Sequence, residues 1–245
     1  MIEIICGWEE REAIGYKVAT LSLFRRSHRE RLCFQPLCED QLRAEGLYTR
    51  PHDTRDGQLW DVISEAPMAT SFACSRFLAP FVAMTQWPIS CDFADMMFLA
   101  DPSELLDLAD PKYAIMVVKH AYTPSELVKM DHQTQTAYSR KNWSSLILWN
   151  WQHPANSRLT LEMVNKLPGR DLHRFCWLED DEIGELPPEW NYLVGVTPMT
   201  VKPKLLHFTL GIPTMEGYKT GPWADVWLDE LAILDATRKR IPVAA

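Results

Sequence analysis

Two aspartates stand against an apolar run in Ser90-Cys91-Asp92-Phe93-Ala94-Asp95-Met96-Met97. Carboxylates at the carboxyl end of a buried strand can hold a hard divalent cation, which takes oxygen ligands and bridges to phosphates. Spacing sets a condition on this chemistry. Side chains two apart on a strand share a face and those three apart do not, so Asp92 and Asp95 meet one ion only where the strand has turned. The alternative is that both carboxylates cap and shape a turn.

Other residues carry comparable ambiguity. Leu205-Leu206-His207-Phe208-Thr209-Leu210-Gly211 sets one imidazole into an apolar strand, as a satisfied core histidine or as a ligand. Gly211, Pro213, Gly217 and Gly221-Pro222-Trp223 then form a loop that could bring backbone close to phosphates or simply connect two elements. Glu179-Asp180-Asp181-Glu182 reads as a solvated helix start, yet its apolar and aromatic flanks allow one carboxylate to look into a pocket. Lys141-Asn142-Trp143-Ser144-Ser145 combines a cation, an amide, an indole and hydroxyls, a mixture suited to sugar recognition or to a buried Trp leading into a strand. In Ser75-Arg76-Phe77 an arginine sits among apolar residues, so its guanidinium needs an anion, from the protein or from a ligand.

The elements that position these residues follow from periodicity. Residues 2–6 read as a strand buried on both faces, 11–23 as a helix and 32–37 as a second strand, a βαβ opening that favours a parallel α/β sheet. Residues 48–60 are polar and read as a loop near the site, followed by a helix over 68–84 and a strand over 87–91. A short helix with Pro at its first turn is expected over 102–108, strands over 113–118 and 144–149, and a polar excursion over 121–141. Two helices fit 160–167 and 172–177, a late strand 205–210, and a helix 223–239. No repeat or linker divides the chain, so a single domain over 1–245 is expected.

Composition excludes some classes. A chain of 245 residues with 47% apolar content can bury a sizeable core, and a net charge of −8 argues against a protein whose affinity rests on neutralising nucleic-acid phosphates. The basic run Arg25-Arg26-Ser27-His28-Arg29-Glu30-Arg31 reads as cations complementing a helix C-terminus; a transferase acting on nucleic-acid bases would use it as its electrostatic footprint. Six cysteines without CxxC spacing, several of them inside apolar runs, read as buried thiols in a reducing compartment. The amino-terminal segment is acidic and no apolar run approaches ~18 residues, so a soluble, cytoplasmic protein without a transmembrane segment is expected.

Taken in order, these segments resemble the GT-A nucleotide-sugar transferases, in particular the retaining enzymes of glycosyltransferase family 8 and their bacterial relatives. Ile4-Ile5-Cys6-Gly7-Trp8-Glu9 with Arg11-Glu12-Ala13 resembles the first strand and turn that hold the nucleotide base, and Ser75-Arg76-Phe77-Leu78-Ala79-Pro80 the helix carrying an arginine near the donor. Asn142 to Asn150 resembles the strand facing the sugar, Asp180-Asp181-Glu182 with Leu186-Pro187 and Trp190-Asn191 the Asp-Gln-Asp segment and its sequel, and Leu206-His207-Phe208 with Gly211 the motif that completes the metal site. The chain departs from the pattern at the metal motif Asp-x-Asp, over which Phe93-Ala94-Asp95 aligns, and at Asp181, which stands in the glutamine position.

The resemblance implies a single Rossmann-like GT-A domain with a mostly parallel central sheet flanked by helices, its nucleotide-binding half over about 1–120 and its acceptor half over about 121–245. It implies transfer of a hexose from a nucleotide diphosphate sugar, UDP-linked, to a glycan or other hydroxyl acceptor with retention. Mn²⁺ or Mg²⁺ would be clamped by Asp92, Asp95 and His207, with Arg76 or Lys204 assisting. Gly7, Trp8, Arg11, Arg76, Trp143 and Gly211 would bind the donor, and Asp181, with Asp180, Glu182 and Asn142, would serve the reacting sugar. The broken motif leaves a second reading, a GT-A-shaped binding or scaffold module.

Overall fold

The computed structural model describes residues 1–28, 31–121 and 140–240. The opening apolar run forms β1 (Ile2–Gly7), and α1 (Ala13–Arg26) returns the chain so that β2 (Leu32–Leu37) pairs parallel to it, Ile2 opposite Leu32. After α2 (Glu39–Ala44) come β3 (His52–Arg55), β4 (Gln58–Asp61) and β5 (Ala66–Pro67), then α3 (Ala79–Val82), β6 (Ile89–Cys91), β7 (Met96–Phe98), β8 (Ile115–Val117) and β9 (Leu146–Trp149). The chain closes with α4 (Leu161–Lys166), α5 (Gly169–His173), β10 (Ile183–Glu185), β11 (Tyr192–Leu193), β12 (Leu205–His207) and α6 (Ala224–Arg240).

Six strands form the central sheet in the order β10-β8-β9-β6-β1-β2, all parallel to their neighbours except β9. Strands from both halves of the chain therefore share one sheet. Alternation along each strand feeds two cores: Ile5, Ile115, Val117, Ile147 and Trp149 pack on one side, Ile4, Cys6, Met116, Leu146 and Leu148 on the other. Burial on both faces explains why these strands read as continuous apolar runs. Pro36, which cannot donate to a ladder, is accommodated because β2 is the edge strand.

A small sheet, β11-β12-β7, carries the chain away from the main sheet and brings His207 opposite Met96. Behind it α1 and α6 pack together, and Glu230, buried on α6, receives Arg25 at 2.7 Å and Arg26 at 3.3 Å. The start of the basic run thus clamps two helices; Arg29 and Glu30 lie outside the described residues. No helix among the described residues is long and apolar enough to cross a membrane.

Several expectations are corrected: the helix expected over 172–177 lies earlier, as α5, and of the six thiols read as buried, Cys6, Cys74 and Cys91 are buried while Cys176 is exposed. Within 48–60 the chain forms the hairpin β3-β4, turning at Asp56 (φ 51°) and Gly57 (φ 80°). Asp-Gly supplies the two positive φ angles that a tight hairpin needs, a signal the polar composition masked. The helix over 68–84 is reduced to a 3-10 turn, Ser75–Leu78, and the four residues of α3. Pro80 has no N–H, so no helix can run through it with its hydrogen bonds intact, and Met84 and Thr85 instead give their N–H groups to the buried Glu3 carboxylate at 2.8 Å each. Of the polar excursion, residues 122–139 lie outside the described residues.

Candidate functional site at the carboxyl edge of the sheet

Directly after β6, the Asp92 N–H donates to Ser145 O (2.9 Å), Ala94 N–H donates back to Asp92 O (3.1 Å), and Phe93 between them has φ 79°. A bulky residue in that region is a strained outlier that needs surrounding structure to hold it. Here the Phe93 ring is fully buried, 5.1 Å from both Tyr16 and Phe34. The strand has turned, and the position that aligns with the first carboxylate of Asp-x-Asp points into an aromatic core. Gly15 of α1 lets the helix press on this turn: a Cβ there would lie 2.2 Å from Ala94 O.

The two aspartates take different partners. Asp92 accepts from Arg76 Nη1, which also reaches Ser144 O at 3.4 Å, while Asp95 Oδ2 lies 3.1 Å from His207 Nε2. Arg76, the arginine in an apolar setting, has found a protein carboxylate.

A buried chain of hydrogen bonds orients His207. Ser145 Oγ donates to Asn142 O (2.6 Å), and Asn191 Nδ2 donates to Ser145 Oγ (2.8 Å). Because the chain ends on a backbone carbonyl, its direction is set, and Asn191 Oδ1 is left as the acceptor for His207 Nδ1–H at 2.9 Å. A neutral His207 therefore turns the lone pair of Nε2 toward Asp95, and a charged one turns an N–H.

The remaining expected residues are spread around this centre. Asn142 is buried in the left-handed region at φ 63°. Trp143 donates through Nε1 to His120 O (3.0 Å), with Lys119 and Arg140 near its ring at 5.7 and 5.8 Å. Asp180 is bonded by Arg140 and Glu182 by Arg158, in a 3-10 turn feeding β10, and Asp181 is exposed. Arg11 pairs with Glu9 (2.7 Å) and Ala69 O (2.6 Å), and Trp8 lies edge-on to Tyr16 at 4.7 Å. Gly7 and Gly211 are closed over by the rings of Phe72 and Tyr218, 2.1 and 2.7 Å from where a Cβ would stand. Lys204 pairs with Glu104 at 2.7 Å.

Three further participants emerge: Glu12 and Asn191, which stand within the resembling segments without a role assigned to either, and His120, which sequence reasoning missed. Glu12, at the start of α1, has its pKa raised to about 8 by burial first, then by the charges of Asp95 and Glu9, against the opposing pull of Arg11 and Arg76. Its carboxyl thus feels the charges of both Asp95 and Arg76. His120, three residues past β8, is lowered to about 4 by burial and then by His207, so its ring is neutral at pH 7. Asn191 is fully buried. The sequence signal for His120 is that it follows closely on a strand end at the carboxyl edge of the sheet, where α/β ligands bind.

The donor set bears on the implied metal. One carboxylate and one imidazole nitrogen at 3.1 Å match two neighbouring ligands of an octahedral ion, which stand about 3 Å apart for bonds of about 2.1 Å. Asp95 and His207 are thus the two residues that could contribute ligands to a divalent ion here. Asp92, engaged by Arg76, is not part of that pair, and no cluster of three or more His, Cys, Asp or Glu residues that could hold an ion occurs among the described residues.

No protein-family model matches the chain. Among solved structures, the glycosyltransferase GlyE of Streptococcus pneumoniae TIGR4 superposes with a TM-score of 0.59 at 12% identity over 100% of this chain and 66% of its own, so this chain spans just under two thirds of GlyE. The galactosyltransferase LgtC, in complex with donor and acceptor sugar analogues, gives a TM-score of 0.58 at 11% identity, covering 98% of this chain and 100% of that one. The architecture is that of the GT-A nucleotide-sugar glycosyltransferases. Protein CDI of Arabidopsis thaliana is 42% identical over 243 residues, 97% of this chain and 88% of the relative, and the chain belongs to the family of that protein.

Proposed function

We propose that the protein is a glycosyltransferase that moves a hexose from a UDP-linked donor to a hydroxyl acceptor, with retention at the anomeric carbon. The observation that carries this reading is the meeting of the Arg76–Asp92 and Asp95–His207 pairs at the carboxyl edge of a GT-A sheet, beside Asn142 and Trp143. As the glycosidic bond breaks, negative charge gathers on the departing diphosphate, and preorganised cationic groups stabilise it. Arg76, held by Asp92, supplies one such group. Asp95 and His207 would hold Mn²⁺ or Mg²⁺, whose charge adds to the same effect. On the sugar side Asp181 would offset positive charge developing at the anomeric carbon, with Asp180 and Glu182 anchoring its turn through Arg140 and Arg158. Asn142 and Trp143 would hold hydroxyls and the sugar face. Six unpaired cysteines suit a reducing compartment such as the cytoplasm.

A screen of nucleotide sugars for donor hydrolysis with Mn²⁺ tests this reading. At least one UDP-hexose should be hydrolysed, and Asp95→Ala and His207→Ala should each lower the rate by about 100-fold. Parent-like rates in both variants sink the assignment. Burial of Phe93 where the family has a carboxylate favours a second reading, a nucleotide-binding module without transfer activity. Calorimetry separates the two: UDP binding that Mn²⁺ does not change, without hydrolysis of any donor, marks the module.

A further inference from the structure

Two buried polar atoms near His207 have no hydrogen-bond partner among the described residues: His120 Nε2 and Asn142 Nδ2. Buried donors and acceptors are nearly always satisfied, so such atoms mark places where a ligand or water completes the bonding. The backbone of each residue is held in place. His120 N–H donates to Val118 O at 3.0 Å and its carbonyl receives Trp143 Nε1 at 3.0 Å, while Asn142 O accepts from Ser145 and Asn191. Trp143, next in the chain to Asn142, bonds the His120 carbonyl, and Asn191, which bonds Asn142 O, also holds His207 Nδ1. Both groups are uncharged hydrogen-bonding heads, unsuited to neutralising phosphate and matched to hydroxyls. What lies next to a diphosphate held at Arg76 and His207 is the sugar attached to it.

We propose that His120 is a specificity-determining residue which, with Asn142, hydrogen-bonds hydroxyl groups of the donor's sugar. This rests on the glycosyltransferase reading above and adds to it a residue that the motif comparison did not supply. A site built to bond a hydroxyl discriminates strongly, because a donor lacking it leaves the protein group buried and unpaired.

Calorimetric titration of the parent, His120→Phe and His120→Gln with UDP, UDP-glucose and UDP-galactose tests the proposal. His120→Phe should bind UDP within about 2-fold of the parent and bind the preferred UDP-hexose at least about 10-fold more weakly, with His120→Gln between the two. His120→Gln keeps a polar head of similar reach and gives the same reading if the Phe variant does not fold. Unchanged hexose-donor binding, or equal losses for UDP and the hexose donor, overturns the role of His120. A parent that binds UDP but neither hexose donor overturns it as well. A parent that binds none of the three removes the glycosyltransferase reading itself.

Discussion

Arg76 donates from Nη1 to Asp92 Oδ1, so the first aspartate of the turn holds a guanidinium, while Oδ2 of the second, Asp95, lies 3.1 Å from His207 Nε2. Removing one member of such a largely buried pair loosens the other. Asp92→Asn is expected to weaken UDP binding by about 10-fold equally with and without Mn²⁺. Asp95→Asn is expected to remove only the Mn²⁺-dependent part. Calorimetry with UDP in chelator and in Mn²⁺ checks both, and a loss in Asp92→Asn confined to the Mn²⁺ titration would show that Asp92 binds the ion after all.

Asn191 sets the tautomer of His207 through the chain ending on Asn142 O. In Asn191→Leu the acceptor for Nδ1–H is gone, and the metal-free ring should shift toward the Nε2–H tautomer, with about 1–3 kcal/mol of stability lost. Asn191→Asp keeps an acceptor and should keep Nδ1–H. Long-range ¹H–¹⁵N correlation spectra of the imidazole report this directly; identical His207 signals in the parent and Asn191→Leu would refute it.

Gly15 and Gly211 should respond differently to alanine. At Gly15 the new methyl meets a backbone oxygen, Ala94 O, at 2.2 Å, and that oxygen belongs to the turn between the two aspartates. About 2–3 kcal/mol of destabilisation and weaker UDP binding are expected. At Gly211 it meets the ring of Tyr218, a side chain 37% exposed and able to swing aside, so the cost should stay under about 1 kcal/mol. Urea denaturation of both variants tests the contrast.

Glu12 makes stability depend on pH in a direction opposite to that of an ion-paired acid. Its pKa is near 4.5 unfolded and about 8 folded, so across that window the folded chain holds a proton that the unfolded chain has lost. Stability contributed by this group therefore falls as pH rises from about 4.5 to 8 and levels off above. Glu12→Gln should match the parent near pH 4.5 and exceed it by about 2–4 kcal/mol at pH 8 in chelator. Denaturation at the two pH values decides; a difference that is the same at both would sink the assignment.

Local signals carried the frame. β1, α1 and β2 follow from an apolar run, a helical period and a second run, and Thr160 caps α4 by accepting Met163 N–H at 3.1 Å where a helix start was expected. The run at 205–210 yields only β12, because Phe208 N–H leaves the ladder to bond Asp95 O at 2.7 Å. The acids at 180–182 start no α-helix; a 3-10 turn delivers the next residues to the central sheet as β10. In each case a long-range bond outcompeted the local pattern.

The same division runs through the site. Residue types and their order specified two aspartates after a buried strand, a histidine in an apolar strand and an arginine that needed an anion, since burial and periodicity act over a few neighbouring residues. Which charge meets which was decided only by the tertiary structure. Phe93 in a positive-φ turn, pinned by Tyr16 and Phe34, rotates the chain so that Asp92 meets Arg76 and Asp95 meets His207, 112 positions away. A carboxylate has no local preference for one distant cation over another, so its partner depends on how the sheet and the aromatic core aim the backbone.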